Sequence, residues 1–286
     1  MTRIGLISDI HVDLNMEDGE DRVTGLLAAE ARRRGLDMLL IAGDLSGDYE
    51  LSLKAVDRIA AESGAQVSFV PGNHDIWNEK HPGLKAFDTY SALLEHPANL
   101  ARGPLSVDGG WTLIGDLGWY DFSFGDPSFT TDDFQRMNHM GRTWRDSVYV
   151  PWEKKTVDVH RMFLEKLRQT LELVAGGRIL LATHMVQVGE FTVQNPGPMW
   201  KYFNAFLGSP EYGNLAVERG VALSVCGHVH YRRRVRKGGT EFVCPCLGYR
   251  AEWAARSGQP ADTEREITGA LSVWDLGRDG PEFVEE

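Results

Sequence analysis

The chain has 286 residues, 42% of them hydrophobic and 25% charged, and a formal net charge of -11 from 41 acidic against 30 basic residues. That length buries a sizeable core without disulfides, and that charge opposes a long polyanion, which argues against nucleic-acid binding as a main role. A small anionic substrate stays admissible, because bound divalent cations would reverse the local field.

Residues 4–8 form a short apolar run, and the opening lacks the basic and apolar segments of a signal peptide. Residues 23–34 have helical spacing. Residues 38–42 predict a second strand closed by Gly43-Asp44, residues 51–62 a second helix, and residues 67–70 a third strand closed by Pro71-Gly72-Asn73. This rhythm predicts an α/β fold and, taken alone, a single parallel sheet. Residues 84–94 read as a helix and residues 111–115 as a strand. Residues 118–151 are rich in aromatics, Asp, Gly and Met without periodicity. They are expected to form an irregular insertion acting as a lid or pocket wall, the alternative being a plain surface loop.

Residues 152–174 predict a long amphipathic helix, residues 178–182 a strand, and residues 221–226 a strand leading into Gly227-His228-Val229-His230. Residues 232–236 and 240–243 read as a hairpin, and residues 271–276 as a final strand. With no repeat and no Pro/Ser-rich linker, residues 1–286 are expected to form one domain. Cys226, Cys244 and Cys246 are too few and odd in number for a disulfide framework. They are expected as small buried residues, with metal ligation or redox chemistry as the alternative. No window approaches the ~18 apolar residues of a membrane span, so a cytoplasmic location without a membrane partner is expected. Oligomeric state is left open.

The residues able to bind metal sit at strand ends. Asp9 and His11 follow the first strand, Asp44 the second, and Asn73, His74 and Asp75 the third. His184 follows residues 180–182, and His228 and His230 follow residues 223–226. In open α/β sheets, sites form beyond the carboxyl ends of the strands, so these positions should converge. Two Asp, four His and one Asn form a mixed nitrogen and oxygen set. That set suits Mn, Fe, Zn or Co better than an all-oxygen calcium or magnesium cage. Seven ligands are too many for one metal but fill two sites if a carboxylate bridges. Gly43, Gly72 and Gly227 beside them allow close backbone approach.

In all its signature motifs (Asp9-x-His11, Gly43-Asp44, Gly72-Asn73-His74-Asp75, His184 and Gly227-His228-x-His230) the chain resembles the calcineurin-like metallophosphoesterases. The resemblance implies a four-layer α/β/β/α sandwich. It implies that Asp9, His11 and His230 hold one metal, that Asn73, His184 and His228 hold a second, and that Asp44 bridges both. It further implies that Asn73 and His74 meet the substrate, with His74 acting on the phosphoryl oxygen or leaving group and Asp75 orienting the His74 ring.

Two cations ~3.5–4 Å apart lower the pKa of a shared water, and the resulting bridging hydroxide is aligned with phosphorus. They also neutralise the equatorial oxygens, while His74 serves the leaving alkoxide. The expected activity is therefore dinuclear hydrolysis of a small phosphodiester, nucleotide or phosphomonoester. Trp119, Tyr120, Phe122, Phe124, Phe129, Phe134, Trp144 and Tyr149 either stack on a substrate ring or pack the insertion. His139 and Arg142 are candidate phosphate contacts or ordinary surface residues, and Arg232, Arg233, Arg234 and Arg236 alternate along a strand. Two rivals remain: a catalytically silent metal-binding scaffold, and a di-metal hydrolase of an amide or lactone. The HxHxDH run of one such hydrolase family is absent.

Overall fold

The computed structural model describes residues 1–174 and 177–284. Strand β1 (Thr2–Ile7), helix α1 (Val23–Arg33), β2 (Met38–Ala42), α2 (Tyr49–Ser63) and β3 (Gln66–Val70) open the chain. They are followed by α3 (Ala86–Glu95), β4 (Leu105–Val107) and β5 (Trp111–Asp116). Next come α4 (Thr131–Gln135), a small hairpin of β6 (Asn138–His139) and β7 (Arg142–Thr143), α5 (Asp146–Tyr149), α6 (Thr156–Leu173) and β8 (Arg178–Thr183). Helices α7 (Pro198–Phe203) and α8 (Pro210–Glu218) precede β9 (Leu223–Val225) and the hairpin β10 (Arg232–Lys237) and β11 (Thr240–Pro245). The chain closes through α9 (Arg250–Ser257), α10 (Thr263–Ala270), β12 (Ser272–Leu276) and β13 (Pro281–Phe283).

Local chemistry sets several boundaries. The Asp48 carboxylate accepts the Glu50 and Leu51 N–H groups at 2.9 and 3.2 Å and starts α2, and Gly64, at φ +72°, ends it. Every residue of β2 is buried, as a parallel strand covered on both faces requires.

Two sheets replace the single one that the strand–helix rhythm predicted. One has the order β13-β12-β1-β2-β3 and the other β10-β11-β9-β8-β5-β4. Strands β1, β2 and β3 are mutually parallel, as are β5, β8, β9 and β11, while β12, β13, β10 and β4 add antiparallel edges. Periodicity identifies a strand but carries no information on which sheet it joins, whereas the family resemblance implied the sandwich that is observed. Ile4, Leu6, Leu40 and Ala42 of the first sheet meet Leu113, Leu180, Leu223 and Val225 of the second in a buried layer between them. Ile7, Leu39, Ile41 and Phe69 face outward against Leu27, Val56, Ile59 and Leu93. Ile114, Ile179 and Leu181 pack against Leu164, Leu167, Leu171 and Leu215. The order of layers is α/β/β/α.

Residues 118–151 contain α4, the β6–β7 hairpin and α5, elements of two to five residues that are too short to show a period. Trp119, Tyr120, Phe122 and Phe134 are buried there, with Trp119 stacked on Tyr120 at 4.7 Å and Phe122 on Phe134 at 5.6 Å. These four rings pack the segment and do not face a substrate. Among the described residues no helix is long and apolar enough to cross a membrane.

Candidate metal centre

The carboxyl ends of β1, β2 and β3 in one sheet and of β8 and β9 in the other lie at one edge of the sandwich. Backbone bonds join the two there: Ser8 N–H donates to Pro245 O at 3.1 Å, and Leu247 N–H to Ser8 O at 2.9 Å. Just past those ends the backbone turns sharply. Asp9, His11, Asp44, His228 and His230 all have left-handed φ values, between +38° and +76°. For residues other than glycine this costs on the order of 1–3 kcal/mol each, and such strain concentrates at functional sites. Close approach completes the turn. A Cβ on Gly72 would sit 2.1 Å from Asp44 Oδ1, and one on Gly227 would sit 2.6 Å from Asp9 Oδ2.

The structure brings all seven candidate ligands together. His11 Nε2 lies 3.2 Å from His230 Nε2 and 3.6 Å from Asp44 Oδ2, and His230 Nε2 lies 3.5 Å from Asp9 Oδ1. On the other side, His184 Nε2 lies 3.3 Å from Asp44 Oδ1, 3.1 Å from Asn73 Oδ1 and 3.2 Å from His228 Nδ1. Asn73 Oδ1 and His228 Nδ1 are 2.9 Å apart. The two oxygens of Asp44 thus face different halves of the cluster.

These separations test whether cations fit. At metal–ligand bonds of ~2.0–2.1 Å, two ligands subtending 90–109° lie about 2.8–3.4 Å apart. The observed pairs, 2.9–3.6 Å apart, fall within or close to that range. Asp9, His11, Asp44 and His230 form one group whose ligand atoms lie within 4.8 Å of one another, and Asp44, His184 and His228 form another. The residues fit two metal ions.

Electrostatics agree with that use. Burial pushes the His11 and His228 imidazoles well below the usual histidine range, which leaves them neutral with lone pairs free. Burial alone would raise Asp44, but the facing His184 and His74 rings hold its carboxyl well below the usual range. His184 opposes burial through the Asp44 charge and is pushed up to about 10. A bound cation would replace the proton that this pairing otherwise holds.

His74 lies at the edge of the cluster, with Nε2 4.0 Å from Asp44 Oδ2 and 3.3 Å from the Tyr249 hydroxyl. Trp77 stacks on its ring at 3.7 Å. The expectation that Asp75 orients this ring is corrected: His74 Nδ1 has no partner among the described residues. Asp75 turns inward instead and accepts the N–H groups of Asp44, Leu45, Ser46 and Gly72 and the Ser52 hydroxyl, at 2.6–3.2 Å. It braces the two turns that carry Asp44 and Asn73. Asn73 was also expected to meet substrate. Its Nδ2 donates one of its two N–H groups to Asp146 at 2.9 Å, and Asn73 stays on the lining of the cleft.

Three residues at the centre escaped the sequence reading. Asp146 is buried and holds Asn73, Glu252 Oε2 meets His230 Nδ1 at 3.0 Å, and the Tyr249 ring packs on His230 at 4.1 Å. All three lie in segments without a motif, and only Gly248 before Tyr249, at φ +74°, marks a turn there.

A cleft of about 610 Å³ opens from Asp44, Asn73, His74, His228 and His230 and is walled by Trp77, Trp144, Trp200 and Phe203, with Arg142 and Arg145 also on its lining. His139 lies elsewhere, stacked on Tyr202 at 4.7 Å. Arg232 pairs with Glu266, and Arg234 lies over the Phe283 ring. The three cysteines are free and buried. Cys244 and Cys246 Sγ are 3.5 Å apart, and burial pushes the Cys246 thiol up to about 11, which makes it a poor nucleophile.

Among solved structures, the chain is similar to the phosphopantetheinyl hydrolase PptH from Mycobacterium tuberculosis, with a TM-score of 0.72 and 17% identity over 89% of this chain and 92% of that one. It is similar to TT1561 of Thermus thermophilus (TM-score 0.56, 14% identity, 99% and 98% covered). A dimetal phosphatase from Danio rerio gives a TM-score of 0.55 at 15% identity, with 99% and 98% covered. At these identities the likeness is one of fold. No curated protein matches the chain significantly. The family model for calcineurin-like phosphoesterases matches residues 2–232, which takes in β1 through the start of β10 and every candidate ligand. The chain belongs to the calcineurin-like phosphoesterase family and is a metal-dependent phosphoester hydrolase.

Proposed function

We propose that the chain hydrolyses a small phosphoester at this centre, with Asp9, His11 and His230 holding one divalent cation, Asn73, His184 and His228 a second, and Asp44 touching both. The observation that carries the reading is the division of the cluster into two halves, one on each oxygen of Asp44. Two such cations, when bound, would supply Lewis acidity and a water of lowered pKa.

The chain's own groups do the rest. His74, pressed against Trp77, keeps its Nε2 edge toward the cleft, where it hydrogen-bonds the oxygen on which charge develops. Burial lowers its pKa, so the ring is neutral at pH 7 and acts as a hydrogen-bond donor. Trp77, Trp144, Trp200 and Phe203 exclude water from one side and offer flat apolar contact to the alcohol portion. Arg142 and Arg145 offer positive charge to a substrate anion. The size of the cleft and the net charge of -11 support a small diester or nucleotide over a long strand.

The test is a panel of p-nitrophenyl phosphate, bis-p-nitrophenyl phosphate, cyclic nucleotides and a carboxylic ester, each with Mn, Fe, Co and Zn. A phosphopantetheinyl ester belongs in it, after the group named in the Mycobacterium tuberculosis neighbour. Turnover of small phosphoesters, diesters foremost, is expected. Turnover of the carboxylic ester alone would overturn the reading.

A further inference from the structure

We propose that Asp146, at the start of α5, is a positioning residue: its carboxylate decides which end of the Asn73 amide faces the metal centre. The proposal rests on the assignment of Asn73, His184 and His228 as cation ligands.

Asp146 is buried, and its partners are all donors. Oδ1 accepts from Asn73 Nδ2 and from Trp77 Nε1, each at 2.9 Å. Oδ2 accepts from Trp144 Nε1 at 2.9 Å and from the Tyr120 hydroxyl at 3.3 Å. An indole N–H can only donate, so the pocket around Asp146 is built for a group that only accepts, a carboxylate.

The consequence for Asn73 is directional. An amide oxygen offers lone pairs to a cation, and an amide NH₂ offers two donors instead. With Nδ2 tied to Asp146, Oδ1 is left 3.1 Å from His184 Nε2 and 2.9 Å from His228 Nδ1. A flipped amide would press its oxygen against the carboxylate and turn its N–H groups toward a positive ion. The carboxylate therefore selects the ligand atom, in the way that outer partners orient metal-binding histidines.

The same group reaches both sides of the site. Trp77, held by Oδ1, stacks on His74 at 3.7 Å and 23°. Trp144, held by Oδ2, meets His228 edge-on at 5.7 Å. Asp146 stands 73 positions from Asn73, so correct folding of residues 118–151 is a condition for full metal affinity.

Asp146→Asn is nearly isosteric but replaces one acceptor oxygen with a donor, so donors that face it lose their partner. The full chain, stripped of metal, is titrated with Mn²⁺ by calorimetry. The wild type is expected to bind two cations. In the variant, one step should stay unchanged and the other weaken by about 10–100-fold. In an Asn73→Ala background the same substitution should add no further loss. An unchanged titration, or equal weakening of both steps, overturns the proposal. A wild-type chain that binds fewer than two cations overturns the ligand assignment, and the proposal with it. Should the variant not fold, the wild type still answers through its ¹⁵N spectrum, in which the Asn73 side-chain amide is identified by its loss in Asn73→Ala. Slow solvent exchange of those protons is expected, and exchange as fast as that of an exposed asparagine overturns the proposal.

Discussion

Gly72→Ala should disable the centre without replacing a ligand. The added Cβ would lie 2.1 Å from Asp44 Oδ1 and 2.3 Å from Asp44 N, so something must move by more than ~1 Å to reach ordinary carbon contact at about 3.5 Å. Little there is free to move. Asp44 N–H donates to Asp75 Oδ2 at 2.9 Å, Gly72 N–H donates to the same oxygen at 2.7 Å, and His74 N–H donates to Asp44 Oδ1 at 2.9 Å. Overpacking costs ~1–3 kcal/mol, and losing one of these charged hydrogen bonds costs ~1.5–3 kcal/mol. The sum, about 2.5–6 kcal/mol, lowers Tm by roughly 5–24 °C for a chain of this size. Metal ligands tolerate displacements of only about 0.2 Å, so Asp44 should lose its grip on both cations.

Gly64→Ala is the control. Gly64, unlike Gly72, has positive φ, +72°, but no atom lies within 4 Å of its added Cβ, so only the left-handed cost of ~1–2 kcal/mol applies. Melting followed by circular dichroism in EDTA, and Mn²⁺ titration, compare the two variants. Wild-type Mn²⁺ affinity in Gly72→Ala, with a Tm matching that of Gly64→Ala, would refute the crowding argument.

His74→Ala should keep both cations and lose kcat by about 10²–10⁴-fold, and full turnover on every active substrate removes its assigned role. Glu252→Ala removes the partner of His230 Nδ1 and should weaken one Mn²⁺ step by about 10–100-fold; an unchanged titration contradicts this. Glu30, held by Arg33 and Arg34 against the opposing effect of burial, has its carboxyl lowered from 4.5 to about 2. Because the folded pKa is the lower one, the stabilisation is full above pH ~4.5 and is lost as pH falls toward about 2. Glu30→Gln should therefore cost about 1–3 kcal/mol at pH 7 and almost nothing near pH 2, as read by urea unfolding at both values. An equal deficit at both would contradict it.

Much of the centre was legible because each candidate ligand follows an apolar strand. Asp44 comes two residues after β2 ends at Ala42 and His184 directly after β8 ends at Thr183, so strand direction alone gathers them. Side-chain direction was not legible. His74 and Asp75 are neighbours in a single 3-10 turn, yet one faces the cleft and the other the buried backbone of the Asp44 turn. Adjacency implied a partnership that the turn forbids. Asp146 and Tyr249 reach the site across 73 and 175 positions, with no local pattern to announce them. Helices α7–α10 were likewise not anticipated; none exceeds nine residues, which leaves too few turns for a periodic signal.

Anomalous diffraction at the manganese edge, from crystals grown with Mn²⁺, tests the central claim most directly. The expected map holds two peaks, both in contact with Asp44, one among Asp9, His11 and His230 and the other among Asn73, His184 and His228. A single peak, or peaks remote from Asp44, would contradict it.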